Sequence, residues 1–430
     1  MKNFLKKILF YILQIESRLV LWKYKPKIIA ITGSVGKTST KDAVYAVFAK
    51  VSHVRKSEKS YNSEIGLPLT ILGCPNGWNN IFVWLQNILK GLWLIITPHK
   101  YPKILVLEVG VGKPGDMKRT ASWLSTDVVI ITAIGETPAH IEFFESRKHL
   151  IEEKSSLIKT LKKDGLLVLN ADDEAVLSMK NKTKSRVVTF GFNSEADIRG
   201  SALNILNDEA GVPGGIIFRL EDGDSSLPVT IEGVFGKNHV YASLAALATI
   251  FGLKLNMINA IEALKNYDVP PGRMRLLSGI NKSLIIDDTY NSSPFACMSA
   301  LNTLHEIKSS RKVAVLGDML ELGKHTVSAH KDIGKVAKEN VDVLVIVGPR
   351  SVAIREGALD NGMTEDKIFG FNNSREAGEF MKSFVQSGDL VLIKGSQGMR
   401  MERVVESILA DQKNKSKLLV RQDKEWLEKE

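Results

Sequence analysis

Cysteine is scarce in this 430-residue chain, which contains only Cys74 and Cys297. The two residues lie far apart in the sequence and form no C-x-x-C pair. Neither a zinc ribbon nor a disulfide-stabilised scaffold is therefore expected. Such sparing use of cysteine fits a reducing compartment, and we expect a cytoplasmic protein.

Long uninterrupted apolar runs are also missing. Residues 1–27, MKNFLKKILFYILQIESRLVLWKYKPK, are interrupted by lysines and are too short to span a bilayer. No small-residue cleavage site follows them, so a secretory signal is not expected. A second apolar stretch at residues 78–97 contains Lys90 and three tryptophans. It predicts a buried or interfacial helix rather than a transmembrane span.

The N-terminal segment, residues 1–25, is basic and amphipathic. Helical spacing places one apolar stripe on it, made of Phe4, Ile8, Tyr11, Ile12, Ile15 and Leu19. Such a stripe can dock on the body of the protein or can make peripheral contact with a membrane surface. The sequence alone allows either, including a location at the inner face of the membrane.

The chain has no basic block interleaved with aromatic residues, so a nucleic-acid partner is not expected. Its formal net charge of +10 favours anionic partners, but the positive residues are spread along the chain. Binding of nucleotides and phosphorylated substrates is the simpler explanation of the positive net charge. A composition of 44% apolar and 25% charged residues is ordinary for a soluble globular protein, and the length indicates two or three domains.

The stretch ITGSVGKTSTKDAV at residues 31–44 predicts a phosphate-binding loop between a strand and a helix. Glycines let backbone N–H groups approach phosphate oxygens, Lys37 can pair with the β and γ phosphates, and the Thr38 hydroxyl can ligate Mg²⁺. Ile31 holds the place of the usual first glycine, and an ordinary glycine turn is the alternative. The expected nucleotide contacts are Gly33, Ser34, Val35, Gly36, Lys37, Thr38 and Ser39.

Apolar strand-like runs alternate with helical patterns, which predicts an α/β fold with parallel strands and crossover helices. A long helix is expected from about 146 to 161, an antiparallel edge over 197–233 and a helical stretch over 240–267. The α/β rhythm restarts near residue 276. We therefore expect a central P-loop ATPase domain with a mostly parallel sheet at 26–275, and a C-terminal Rossmann-like doubly wound domain at 276–430.

Several islands, in the same order and spacing, resemble the Mur ligases, and most closely the MurF branch of that family. They are ITGSVGKTSTK, YNSEIGLPLTIL, LEVGVGKPGDM, AHIEFFES, EEKSSL, LNADD, PGRMR, IDDTYNSSP, AVLGDMLELG and IKGSQGMRMERVV. The resemblance covers about residues 27–405. It implies an ATP-dependent amide-forming ligase that adds D-alanyl-D-alanine to a UDP-muramyl tripeptide through an acyl phosphate, as a monomer.

Typical MurF chains carry a UDP-binding N-terminal domain of roughly a hundred residues. Here only about 25 residues precede the loop domain. The resemblance therefore implies that the sugar nucleotide is held differently, or that the acceptor differs. Poly-γ-glutamate, folylpolyglutamate and MurT-type ligases share the same core and are alternatives, as is a non-enzymatic ATP-binding regulator. The absence of a cysteine-rich insertion disfavours the MurT type.

The resemblance also assigns metal ligands. Besides Thr38, Glu108 matches a Mg²⁺-binding glutamate and His140 a ligand of a second Mg²⁺. Lys154 matches a lysine that Mur ligases carry as a carbamate, which turns a cation into an anionic ligand. The neighbouring Glu153 points about 100° away on a helix, so only one of the two can face the site. The implied catalytic group is Lys37, His140, Lys154 and Arg273.

Nucleotide and substrate contacts follow in the same way. Arg273 matches an arginine that contacts ATP phosphates, and Asp288 a carboxylate that hydrogen-bonds the nucleotide. The adenine-binding asparagine falls where Asn238 and His239 stand in swapped order, so either can contact the base. The implied substrate contacts are Asn62, Ser63, Tyr290, Asn291, Lys394, Ser396 and Arg400.

Overall fold

The computed structural model describes residues 2–58, 61–62, 64–78, 80–135, 141–209, 211–223, 225–265 and 267–428. Side chains of residues 2–7, 141 and 425 are not described. Two sheets, flanked by helices, make up this part of the chain. Their central strands are runs of Val, Ile and Leu that are buried on both faces, as expected for parallel strands covered by helices.

The larger sheet has nine strands within the described residues. They are β1 (Lys27–Thr32), β2 (Val54–Lys56), β3 (Ile104–Glu108), β4 (Thr126–Ile131), β5 (Leu161–Asn170), β6 (Arg186–Gly191), β7 (Ile198–Asn207), β8 (Pro213–Glu221) and β9 (Ser226–Glu232). Their order is β2-β3-β1-β4-β5-β6-β7-β8-β9, and all pairs are parallel except β7 with β8 and β8 with β9. The predicted antiparallel edge is confirmed.

The smaller sheet has six strands in the same described ranges. They are β10 (Arg275–Ser278), β11 (Leu284–Asp288), β12 (Arg311–Gly317), β13 (Val343–Val347), β14 (Ile368–Phe371) and β15 (Asp389–Lys394). The order is β10-β11-β15-β12-β13-β14, and only β10 is antiparallel to its neighbour. The predicted α/β class with a second, doubly wound sheet is confirmed.

Helices connect the strands and cover both sheets. They are α1 (Lys2–Tyr24), α2 (Lys37–Ala49), α3 (Gly66–Leu72), α4 (Ile81–Ile96), α5 (Asp116–Ala121), α6 (Arg147–Ser155), α7 (Glu174–Leu177), α8 (Lys237–Gly252), α9 (Met257–Lys265), α10 (Pro294–Glu306), α11 (Thr326–Asn340), α12 (Val352–Asp360), α13 (Ser374–Phe384), α14 (Glu402–Ile408), α15 (Lys415–Leu418) and α16 (Lys424–Leu427).

Two predicted helices differ from the observed ones. The helix expected near 146–161 begins after Ser146, whose hydroxyl accepts from the His149 N–H, and after Ser155 it tightens into a 3₁₀ segment, Ser156–Thr160. The stretch expected at 240–267 is two helices, α8 and α9, separated by residues 253–256. A turn with Lys254 at φ 56° breaks the path between them.

The N-terminal segment forms α1, which packs on α3 and α4, but through a different face from the predicted stripe. The residues against the body are Leu13, Glu16, Ser17 and Val20, which are at most 3% exposed. Four members of the predicted stripe are exposed instead, namely Ile8, Tyr11, Ile15 and Leu19. Among the described residues, no helix combines the length and the apolar character needed to cross a bilayer.

Glu16 is the unusual member of the packed face, because neither carboxylate oxygen has a hydrogen-bond partner within the described residues. It lies against α4 at Gly91, where a Cβ would approach the Glu16 Oε2 atom to 2.2 Å. Burial raises the pKa of Glu16 from 4.5 to about 7. Folding therefore favours the protonated carboxyl. The stability that this protonated group contributes at low pH is lost as the pH rises from 4.5 to 7.

We expect Glu16→Gln to raise the free energy of unfolding at pH 8 by about 1 to 3 kcal/mol, because the amide removes the cost of a buried charge. The gain should shrink toward pH 5, where the wild-type carboxyl is protonated in the folded state. Urea unfolding at both pH values measures it. The exposed helix residue Glu262 supplies the control, Glu262→Gln, which should change little. A pH-independent effect of Glu16→Gln would contradict the expectation.

Candidate functional site

The predicted loop joins β1 to α2 at the carboxyl edge of the larger sheet. Gly36 caps α2 with a positive φ of 84°, which lets the chain turn from the loop into the helix. The N–H groups of Ser34 and Val35 both donate to the Ala133 carbonyl oxygen, at 2.7 and 3.1 Å. Gly33 has φ 146°, and a Cβ there would lie 2.0 Å from the Thr132 Oγ1 atom. Glycine is thus required at both places. Ser39 is buried on α2, behind the loop.

Two lysines converge on the carbonyl oxygen of Gly33. Lys37 Nζ donates to it at 3.0 Å, and Lys154 Nζ, from α6, donates at 2.9 Å. Burial lowers the pKa of Lys154 well below its usual value, and the charge of Lys37 adds to the effect. Burial also lowers the pKa of Lys37, opposed by Glu108 and aided by Arg273. A buried amine with a lowered pKa is neutral more readily than a surface lysine.

Glu108 ends β3, directly beside the loop, since Ile31 of β1 pairs with it in the parallel register. Its Oε1 atom accepts from Thr38 Oγ1 and from Asn62 Nδ2, both at 3.2 Å. Its Oε2 atom is buried and has no hydrogen-bond partner within the described residues, and Lys41 Nζ lies 3.8 Å away. An orphaned carboxylate oxygen beside a hydroxyl fits an oxygen-ligated cation such as Mg²⁺.

Arg273 reaches the loop from the segment that joins the two sheets. Its Nη2 atom donates to Thr38 Oγ1 at 3.2 Å, and its guanidinium lies 3.9 Å from the Tyr290 ring centroid. Its Nε atom is buried without a partner in the described chain. A rigid fork with an unused donor, held over an aromatic ring, is suited to bind a phosphate oxygen.

These side chains line one cleft of about 570 Å³, which we call the inner cleft. It lies between the two sheets, and Glu64, Asp116 and Gln397 are further polar members of its wall. Of the predicted residues, the structure brings together here Ser34, Gly36, Lys37, Thr38, Asn62, Glu108, Lys154, Arg273, Tyr290 and Asn291.

A second, outer cleft of about 830 Å³ meets the first at Gly36. Val35 and Asn238 line it, as predicted. Tyr241 and Phe295 also line it; Phe295 is 43% exposed and offers a ring face. Sequence reasoning assigned no role to Phe295, although it directly follows the island IDDTYNSSP. The loop thus divides a polar, cation-rich cleft from one with aromatic walls.

His239 is not a ligand-binding residue in this arrangement, which corrects one of the two adenine assignments. Its ring is buried, with Nδ1 bonded to the Tyr267 hydroxyl and Nε2 2.7 Å from the Arg273 carbonyl oxygen. Burial lowers its pKa to about 4. Asn238, which precedes it, faces the outer cleft and remains the candidate for the base.

Four other predicted ligands make internal contacts and lie outside the walls of both clefts. Lys394 Nζ forms a buried ion pair with Asp288 Oδ2 at 2.6 Å. Ser396 Oγ accepts from the Leu320 N–H at 2.8 Å. Arg400 pairs with Glu402 at 2.6 Å. Polar atoms of Asp288, Lys394, Ser396 and Arg400 are thus engaged within the C-terminal lobe, and their ligand roles stay predictions.

Ser63 and His140 lie outside the described residues. The prediction that only one of two neighbours on α6 faces the site agrees with the geometry. Glu153 Oε1 accepts from the Met117 N–H at 2.8 Å, on the side of α5, while Lys154 points to the loop. In the described part of the chain, no group of three or more His, Cys, Asp or Glu side chains is placed to hold a metal.

Comparison with known proteins gives two family matches. The model of the Mur ligase middle domain matches residues 31–84 and 91–250, and that of the Mur ligase glutamate ligase domain matches residues 272–397. Both clefts lie within these ranges. The breaks between the matches coincide with part of α4 and with the segment that precedes Arg273.

Among curated proteins, the UDP-N-acetylmuramoyl-tripeptide–D-alanyl-D-alanine ligase of Bacillus subtilis (strain 168) is 28% identical, over 92% of this chain and 79% of that protein. The enzyme of the same name from Mycobacterium tuberculosis (strain ATCC 25618 / H37Rv) is 29% identical, over 89% and 73%. The solved MurF ligase from Thermotoga maritima in complex with ADP superposes with a TM-score of 0.76 at 26% identity, covering 93% of this chain and 83% of that one.

We expect Asn238→Ala and His239→Ala to separate binding from stability. Asn238→Ala should weaken ATP binding about tenfold, through one lost hydrogen bond, without changing the unfolding free energy by more than about 0.5 kcal/mol. His239→Ala should lower the unfolding free energy by about 2 to 4 kcal/mol, since it leaves a cavity and two unpaired polar groups. ATP titration calorimetry and urea unfolding measure the two effects, and the reverse pattern would contradict the assignment.

Proposed function

Because the chain belongs to the Mur ligase family, we propose that it joins D-alanyl-D-alanine to a UDP-muramyl tripeptide, converting ATP to ADP and phosphate. It is an ATP-dependent ligase of the MurF type. The observation that carries the proposal is the inner cleft, where Glu108 and Arg273 meet at the hydroxyl of Thr38 and Lys37 lines the same wall. Such a site supplies positioning and charge neutralisation, which are the requirements of phosphoryl transfer.

ATP is placed across the two clefts. The nucleoside occupies the outer cleft, with Asn238 at the base and Phe295 as a stacking face. The triphosphate follows the loop past Gly36 into the inner cleft, where Lys37 exchanges its contacts with loop carbonyls for phosphate oxygens. Arg273 binds the same anion from the other lobe, so that both lobes hold one ligand.

The reaction proceeds in two transfers. The acceptor carboxylate, bordered by Asn62, attacks the γ phosphorus; the bond to the β-phosphate oxygen breaks and ADP leaves. The amine of D-alanyl-D-alanine then attacks the carbonyl carbon of the acyl phosphate, loses a proton, and the collapsing tetrahedral intermediate releases phosphate. Closure of the lobes around Arg273 keeps water from the acyl phosphate.

Mg²⁺ would be held by Glu108 and the Thr38 hydroxyl, with Lys154 as a carbamate and His140 at a second ion. When bound there, the metal would supply positive charge that neutralises the transferred phosphoryl group. The buried Oε2 atom of Glu108, which has no hydrogen-bond partner among the described residues, supports this ligand set. One carboxylate with phosphate oxygens and water is an ordinary environment for Mg²⁺.

Carbamylation of Lys154 is supported by its burial and lowered pKa. A neutral Nζ attacks CO₂, an N–C bond forms, and one proton is released, which leaves an anionic carbamate. That anion would face the cations Lys37 and Arg273, where a lysine ammonium would be repelled.

We also propose that the enzyme acts as a monomer in the cytoplasm, at the inner face of the membrane. The support for a membrane-side location is the basic, apolar character of residues 1–25 and the exposed stripe on α1.

The substrate assignment is tested by phosphate release over a panel of UDP-muramyl peptides, D-amino-acid dipeptides, glutamate and folates. Turnover is expected only with a UDP-muramyl tripeptide and D-alanyl-D-alanine together. Lys37→Ala should lower kcat by about 10²- to 10³-fold through lost charge stabilisation. The control is Lys159→Ala, at an exposed position near the end of the same helical region as Lys154. Activity with glutamate or folate alone would replace the assignment by a polyglutamate ligase.

The carbamate is tested with ¹³C-labelled bicarbonate. We expect a carbamate carbon signal in the NMR spectrum of the wild type and of Lys159→Ala, but not of Lys154→Ala. The latter should lose about 10²-fold or more in kcat, and acetate or propionate should restore part of it by filling the place of the anion. A wild-type enzyme without the signal, or full activity of Lys154→Ala, would rule out the carbamate.

A further inference from the structure

The exposed apolar side chains of this protein are concentrated on two helices. Of the 22 large hydrophobic residues that are exposed in the described chain, α1 carries five and α4 carries seven, although the two helices have only 23 and 16 residues. The most exposed are Trp22, Ile81, Phe82 and Ile96, at 72–77%. Scattered exposed hydrophobics are ordinary, but a contiguous set of this size marks an interaction surface.

On each helix the exposed residues recur every three or four positions and form a stripe. The stripe on α1 runs through Ile8, Tyr11, Ile15, Leu19 and Trp22. That on α4 runs through Ile81, Phe82, Leu85, Leu89, Leu92, Trp93 and Ile96. The opposite side of each helix is packed against the core, through residues such as Leu13 and Leu94. We call the two stripes together the outer face.

The two helices are held side by side as one layer. Lys23 Nζ donates to the carbonyl oxygens of Leu94, Ile95 and Thr97 at 2.6–3.0 Å, at the end of α4. Glu16, two turns earlier on α1, lies against Gly91. The helices therefore run in the same direction with their last turns together, and because both bury their inner sides in one core, their stripes face the same way.

The charge of α1 and α4 indicates what kind of partner the outer face binds. Their only acidic residue is Glu16, which is buried, whereas α1 contains five basic residues and α4 contains Lys90. Arg18 is exposed within the stripe of α1, and Lys25 is exposed just past its end. A second copy of the chain would bring the same positive charge against this face, and the two copies would repel each other. A surface that is both apolar and negatively charged is complementary to the outer face.

We propose that the outer face of α1 and α4 binds the surface of an anionic phospholipid bilayer. The apolar stripes enter the boundary between head groups and acyl chains, and Trp22, Trp93 and Tyr11 lie at the interface. The exposed Arg18 and Lys25 contact lipid phosphates. The proposal deepens, and rests on, the membrane-side location proposed above. It does not depend on the ligase reaction, because the outer face shares no residue with either cleft.

Flotation of the full-length protein with vesicles, without nucleotide, tests it. Wild type should bind phosphatidylglycerol vesicles about tenfold or more tightly than phosphatidylcholine vesicles, and salt should weaken the binding. The triple variant Trp22→Gln, Phe82→Gln, Ile96→Gln should bind phosphatidylglycerol vesicles at least about tenfold more weakly than wild type. A matched triple variant at exposed apolar positions elsewhere, Leu255→Gln, Ile258→Gln, Val327→Gln, should bind like wild type.

Phosphate release and urea unfolding report whether the variants are folded, since none of these positions lines a cleft. If the triple variant does not fold, quenching by brominated lipids replaces it: Trp22→Phe should lose much of the quenching that Trp123→Phe retains. Failure of wild type to float overturns the proposal, as does equal binding by both triple variants. A wild-type dimer that Trp22→Gln, Phe82→Gln, Ile96→Gln converts to a monomer, without vesicle binding, would assign the face to a second copy.

Discussion

Positive charge gathered beside the phosphate-binding loop is the constraint on which the inner cleft depends. Lys37, Lys154 and Arg273 share the cleft with Glu108, a buried counter-charge whose Oε1 atom is already engaged, while Glu64 and Asp116 lie on its partly exposed wall. Burial lowers the pKa of both lysines, because it disfavours a charged amine. The charge of Lys37 lowers the pKa of Lys154 further. Arg273 lowers the pKa of Lys37, and Glu108 raises it. Such a site is most favourable when it contains an anion. Binding of a triphosphate and the proposed carbamylation of Lys154 would both relieve the repulsion between these cations.

The lobes are tied together by contacts that fix where Arg273 lies. Gly272 donates its N–H to Asp287 Oδ2 at 3.0 Å, and Met274 donates to Asp288 Oδ1 at 3.2 Å. Asp288 is in turn paired with Lys394 at the end of β15. The residues on both sides of Arg273 are thus anchored to the smaller sheet, while its guanidinium reaches Thr38 on the larger one. Any motion of the C-terminal lobe must move this arginine relative to the loop.

The sequence predicted the parts of the site that follow from strand ends. Lys37 and Thr38 follow β1 through the loop, and Glu108 is the last residue of β3. The carboxyl ends of these neighbouring parallel strands lie at the same edge of the sheet. The sequence predicted less well whether a polar side chain faces a ligand or an internal partner. Lys394 and Asp288 were expected to bind ligands, yet β11 and β15 are neighbours, so each satisfies the other. That pairing depends on strand order in the smaller sheet, which spacing along the chain does not encode. Phe295 was missed because the outer cleft that it lines is built from both lobes, which spacing along the chain does not encode either.

The helix α1 shows a different limit of periodicity. Helical spacing predicts one apolar stripe on it, able to dock on the body or to contact a membrane, and Ile8, Tyr11, Ile15 and Leu19 of that stripe are exposed. Apolar residues also recur on α1 in a second register, and Leu13 and Val20 of that register are the ones that pack against the core. A helix with apolar residues on opposite sides needs two apolar surroundings. The core supplies one of them through Leu13 and Val20. The bilayer proposed above would supply the other. Because Lys23 and Glu16 hold the inner side of α1 against α4, the bilayer would contact its outer face.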